Sequence, residues 1–334
     1  MSCYLFRLQF TSPVHFGAAG LSMEESEVRL RADAWTSAVI NALAMMDEAD
    51  RAITALAQHP PAFLFSSLFP YGPNGQDQLI RYAVPRPVTS PPAEPDILRE
   101  TGKDLKKLTW LTPEQAAQWL AEEPLSRTQL NNLIDHAPLK GQQWWRRELR
   151  PRVALDRTSQ NSQIWLCGTI TFQPGAGLYG LVQVREMSWL STLNAALQLL
   201  GDMGIGGERT YGMGQFQFQG FEEPGTEWDR LLHGEMPRRL LLSVYHPALE
   251  ERERLANDWE AWEWFESRGY ITSGRQTTTL KRHRVRFFLE GSVARGCPTG
   301  TLTDVTPDVA AAFGIPHRCY RSGLAFLAPM GMGL

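Results

Sequence analysis

The chain has 334 residues, 43% hydrophobic and 21% charged, with a formal net charge of −3. That length accommodates two domains with sizeable cores. Uniform positive charge of the kind that coats nucleic acid is excluded, and four cysteines without a C-x-x-C spacing signal neither a disulfide framework nor a zinc site.

In chain order, Tyr4, Phe6, Leu8 and Phe10 alternate with Leu5, Arg7 and Gln9, which predicts a strand with a strongly apolar face. The first ten residues lack the basic-then-apolar pattern of a secretory signal. No apolar run approaches the ~20 residues of a membrane helix, so a cytoplasmic protein without membrane contact is expected. Asp33 is placed to cap a helix starting at Ala34, whose Trp35, Ala38, Val39, Ala42 and Met46 recur at helical spacing. A second helical run occupies about 48–58 and ends before Pro60-Pro61. The proline-rich residues 83–96 read as linker. Thr112-Pro113-Glu114-Gln115 and Ser126-Arg127-Thr128-Gln129 are capping boxes, which predict two short helices. Strands are expected at 163–172 and 178–184, then a helix at 188–200 and a strand at 215–221. Glu222-Glu-Pro-Gly-Thr226 marks a boundary. Beyond it come a strand at 239–245, a helical face of Leu255, Trp259, Trp262 and Glu266, and strands at 280–289 and 318–327.

Residues 201–216, GDMGIGGERTYGMGQF, hold six glycines in sixteen positions between the helix and the strand. Glycine permits positive φ and close backbone approach. The stretch lacks the Gly-Lys-Ser/Thr of a P-loop, and its helix–loop–strand order reverses that of a dinucleotide fingerprint. Two readings remain: a glycine-rich hairpin or helix cap, or a loop whose N–H groups meet phosphates beside Arg209. Charge is segregated along the chain. Lys140, Arg146, Arg147, Arg150, Arg152 and Arg157 form one basic stretch, and 268–295 forms another, while acids collect in 222–229 and 250–266. This segregation favours RNA over a uniformly solvated surface.

The glycine loop, late in a β-α-β-β-α-β order, resembles that of the RAMP proteins of CRISPR systems. PVHFG at 13–17, the run from Arg29 to Ala38, RVALDR at 152–157 followed by Thr158, RFFLEGSV at 286–293, DVTP at 304–307 and YRSGLAFLAP at 320–329 extend the resemblance over nearly the whole chain. Their order is similar to the type III-A (Csm) effector subunit that holds the 5′ end of the CRISPR RNA (crRNA).

The resemblance implies an α+β fold of two ferredoxin-like (RRM/RAMP) units with antiparallel sheets. The first, over 1–224, would carry a thumb-like insertion at about 85–150; the second, over 237–334, would be degenerate. It implies an RNA-binding subunit that is not an enzyme and needs no cofactor or metal. Its partners would be the crRNA 5′ handle, a large signalling (cyclase-type) subunit and a backbone RAMP subunit. The expected RNA contacts are Gly204, Gly206, Gly207, Arg209, Thr210 and Tyr211 in the glycine loop, Arg152, Arg157 and Thr158 beside it, and His15, Arg282 and Arg284. Two rivals stand beside this reading. One is a RAMP endoribonuclease using His15 as general base. The other is a protein-interaction module anchored by some of the eleven tryptophans.

Overall fold

The computed structural model describes residues 2–17, 23–75, 77–155, 162–271 and 280–330. Strand β1 (Ser2–Phe10) buries Phe6 and Leu8 on the expected face and Leu5 on the other, so it is covered on both sides. Helices α1 (Ala32–Ala44) and α2 (Ala49–Ala57) follow. The chain returns through β2 (Phe63–Phe65), β3 (Phe69–Pro73) and β4 (Ile80–Tyr82). Next comes β5 (Val84–Pro85), then α3 (Pro95–Lys107), β6 (Trp110–Leu111), α4 (Pro113–Leu120) and α5 (Arg127–Asp135). Two eleven-residue strands, β7 (Trp145–Leu155) and β8 (Ser162–Phe172), form a long antiparallel hairpin arm. Strand β9 (Gly177–Val184), helix α6 (Ser188–Met203) and strand β10 (Phe216–Glu222) complete the first half.

The main sheet runs β10-β1-β9-β3-β4 with every pairing antiparallel, and β2 also lies on β9. Fourth, first, third, second is the strand order of a β-α-β-β-α-β unit, with α1 and α6 as its helices. Those helices pack on each other, and Trp35 of α1 stacks on Phe6 of β1 at 5.8 Å between ring centroids. Trp189 of α6 meets Phe63 at 4.9 Å.

The second half holds α7 (Asp229–His233), β11 (Arg239–Leu241), α8 (Leu255–Asp258), β12 (Trp259–Ala261), β13 (Trp264–Ser267) and β14 (Tyr270–Ile271). It continues with β15 (Leu280–Lys281), β16 (Val285–Phe288), β17 (Val293–Ala294), β18 (Leu302–Asp304), β19 (Tyr320–Ser322) and β20 (Leu327–Ala328). A sheet β12-β17-β11-β20 and the pairs β13–β16, β14–β15 and β18–β19 are all antiparallel. Leu240, Leu242, Val293, Leu324 and Phe326 join the same apolar cluster as the first half's core.

Four expectations are corrected. The helical face over 255–266 is instead a four-residue helix followed by strands β12 and β13. Its aromatics pair across a ladder, Phe265 stacking on Phe287 at 5.6 Å, and aromatic residues favour such a pleated, half-buried surface. The proline-rich stretch at 83–96 is not a bare linker: Ala83 and Val84 are fully buried, and β5 pairs with β6. Proline is tolerated there because the ladder is two residues long. A further helix, α3, precedes the two expected ones, with Pro95 at its first turn. Finally, Asp33 does not cap α1. The helix begins one residue before it, and the Ala32 N–H is met by Ser67 Oγ at 2.8 Å.

Candidate RNA-binding groove

Helix α6 ends at Gly204, whose φ of +76° with ψ of 161° is a conformation open to glycine and strained for other residues. The loop beyond it leans on the segment after β1. The Gly207 N–H donates to the His15 carbonyl at 2.9 Å, and the Gly214 N–H to the Pro13 carbonyl at 2.9 Å. Gly206 has φ +89°, and a Cβ there would stand 2.5 Å from the His15 carbonyl oxygen. A Cβ on Gly207 would lie 2.8 Å from His15 Cδ2. The close approach that these glycines allow is therefore made within the chain, to His15 and Phe16.

His15 is 4% exposed, and its Nδ1 lies 2.7 Å from the Gly168 carbonyl of β8. A carbonyl only accepts, so Nδ1 carries the proton in this arrangement. The loop 13–17 is thus clamped between the arm and the glycine loop. Arg209, Thr210 and Tyr211 form one exposed 3₁₀ turn between Glu208 and Gly212, both left-handed. The Arg152 guanidinium of β7 stands 4.6 Å from the Tyr211 ring centroid, bringing two predicted residues together across 59 positions of sequence, 152 to 211. Arg157 and Thr158 lie outside the described residues.

On the other side of the 13–17 loop opens a cleft of about 560 Å³ between the start of α1 and strands β13–β15. It is lined by Arg29, Arg31, Arg268, Lys281, Arg282 and Arg284, together with His15, Tyr270 and, as its one carboxylate among the described lining residues, Asp33. Arg29 and Arg31 share Glu27, and Arg31 also lies over the Phe265 ring at 4.5 Å. The hydrogen bond from Arg268, with Arg284 and Arg286 close by, holds the Glu266 carboxyl below the usual carboxylate range. Among the described residues, Lys281 and Arg282 have no carboxylate at ion-pair distance, so their charge is available to a ligand. Arg282 donates to Ser267 Oγ at 3.1 Å and to the Arg268 carbonyl, while its buried Nε meets no acceptor among the described residues.

A second, smaller groove of about 200 Å³ is lined by Ser37, Asn41, Gly204, Gly206, Arg209 and Arg321. It shares Leu30 and Ala34 with the cleft, so the two adjoin over the start of α1. The predicted residues His15, Arg282 and Arg284 fall in the cleft, and Gly204, Gly206 and Arg209 in the adjoining groove. Arg152 and Tyr211 stack apart from both linings. Arg29, Arg31, Tyr270 and Arg321 were missed by sequence reasoning. Arg29 and Arg31 sit in a quoted motif and could have been found by counting its cations; Tyr270 carries no signal until the cleft exists.

Known proteins resemble the chain in the same terms. Residues 235–330 match the family model described as CRISPR Csm4 C-terminal domain. The protein described as CRISPR system Cms protein Csm4, from Thermococcus onnurineus (strain NA1), is 27% identical over 281 residues, which cover 80% of each chain. The fold is that of a chain in the crystal structure of a Csm3–Csm4 subcomplex of the type III-A interference complex, with TM-score 0.61, 15% identity and coverage of 99% of this chain and 100% of that one. A chain of the Csm1–Csm4 cassette in complex with cA4 matches at TM-score 0.56 and 19% identity over 99% of both chains. The class is therefore an α+β protein with antiparallel sheets, sharing its fold with those Csm4-containing structures. Within that class, the domain match and the curated relative support a Csm RAMP subunit, as the sequence resemblance implied. Among the described residues no helix is long and apolar enough to cross a membrane.

Proposed function

We propose that this chain is the non-catalytic RNA-binding subunit of a type III-A effector complex, holding the 5′ repeat-derived handle of crRNA and bridging the large signalling subunit to the first backbone subunit. The observation that carries the reading is the pair of adjoining grooves over Leu30 and Ala34, with cations on both sides and the glycine loop at one end. Such a path suits single-stranded RNA, whose backbone follows the cations while splayed bases stack on exposed rings such as Tyr270. The similarity to Csm4 chains solved with Csm3 and with Csm1 supports the two protein partners. Seven of the eleven tryptophans are buried in the chain's own core, which counts against the interaction module anchored by them. His15 is buried and bonded to Gly168, which favours a supporting role over that of a general base.

The test is ultraviolet crosslinking of the co-expressed complex. RNAs sharing one 5′ repeat tag should crosslink to peptides around 204–211 and 265–284. A loaded complex without crosslinks on this chain would overturn the reading. Arg209→Ala should also flatten the salt dependence of handle binding by about one phosphate contact, and an unchanged slope would remove Arg209 from the path.

A further inference from the structure

We propose that Asp33 determines base identity at one position of the bound RNA, by accepting a hydrogen bond from the exocyclic amino group of an adenine or cytosine. The inference rests on the handle-binding reading above. A cleft built for phosphates has no use for a carboxylate, which repels them. Yet Asp33 lines the cleft among six cations. Helix capping does not account for it, since Ser67 serves the Ala32 N–H and the helix has no side-chain cap bond.

Asp33 is 3% exposed, and its Oδ2 accepts from Ser267 Oγ at 2.9 Å. Ser267 Oγ in turn accepts from Arg282 Nη2 at 3.1 Å. This chain of bonds fixes both charged groups. Among the described residues no further donor reaches the Asp33 carboxylate, and Arg282 Nε is a buried donor without an acceptor. An unspent acceptor and an unspent donor therefore flank one serine. Adenine and cytosine each present an amino donor beside a ring-nitrogen acceptor on the edge that single-stranded recognition uses. Tyr270, 54% exposed in the same cleft, offers a face on which that base stacks.

The experiment uses the reconstituted complex and a panel of handle RNAs. Each adenine in turn is replaced by purine and each cytosine by pyrimidin-2-one, which deletes only the amino group. The wild-type complex should lose roughly tenfold in affinity at one position, and Asp33→Ala should abolish that sensitivity there while leaving the other positions unchanged. If Asp33→Ala lowers the melting temperature too far to assay, Asp33→Asn keeps the shape and should reduce the same sensitivity to a few-fold. Wild-type binding that is indifferent to every amino deletion, or a sensitivity that survives both substitutions, overturns the inference and leaves handle binding standing. A wild-type complex that does not bind the handle through this chain overturns the functional reading, and the inference with it.

Discussion

Gly206 is where one atom decides most. Its φ of +89° is strained for any L side chain, and an added Cβ would press on a backbone oxygen that cannot move aside. Gly206→Ala should destabilise the protein by about 2 kcal/mol, measured by urea unfolding, and any loss of RNA binding should follow the loss of structure. Glu251 sets a second test. Its buried carboxylate accepts from the N–H groups of Ala248, Thr299 and Gly300 at 3.0, 2.6 and 3.0 Å, and from the Tyr245 hydroxyl at 3.1 Å. Burial alone would raise its pKa; the donors outweigh burial and hold it below the ordinary glutamate value of 4.5. A depressed folded-state pKa means that this stabilisation is fully present above the unfolded value and fades as pH falls through the folded one. Glu251→Gln should cost about 1–3 kcal/mol near neutrality and flatten the acid side of the stability curve. An acid limb identical to wild type would contradict this.

Among the elements, the hairpin arm is amphipathic across its two faces. Arg150 and Arg152 share the face that meets Tyr211, while Leu149, Val153 and Leu155 with Ile164 lie on the opposite face, Val153 57% and Ile164 69% exposed. An isolated two-stranded ribbon is marginal in water, so a bare apolar face on this one calls for a cover. Val153→Lys with Ile164→Lys should leave the melting temperature of the free chain within a degree or two, since neither side chain is buried. The same variant should weaken co-purification with the backbone subunit. Undiminished co-purification would show that this face is not part of the junction. The elements also show what a sequence makes legible. Both capping boxes form as read, Thr112 accepting from the Gln115 N–H and Ser126 from the Gln129 N–H at 3.3 Å each, because such motifs close within one turn. Trp259 to Ser267 misled because the residues that turn the second part of it into strand, 285–288, lie about twenty positions on. Asp33 misled for the same reason at longer range: its partner, Ser267, is 234 residues away. The glycine loop and the basic stretches were legible as composition, whereas the meeting of Arg152 with Tyr211, outside both groove linings, depends on the course of the arm.

For the whole molecule, the two halves share one apolar cluster and a buried polar latch. Ser67 Oγ donates to Glu290 Oε1 at 2.5 Å, and Arg29 lies 3.5 Å from Glu290 Oε2. Residues 1–224 expressed alone would expose that cluster and leave Arg29 and Ser67 without Glu290. The fragment should be aggregation-prone, and the full chain should unfold in one transition by circular dichroism and by tryptophan fluorescence. Two well-separated transitions would show that the halves are independent. The clamp of the 13–17 loop, between Gly168 on one side and Gly206 and Gly207 on the other, reaches beyond stability. Three stretches far apart in the gene meet at contact distance around His15 and Phe16, so a change of bulk in one has room only if the others yield. Over evolutionary time they are expected to drift as a unit, gaining and losing residues in step, while the helical insertion, which takes no part in the clamp, diverges freely.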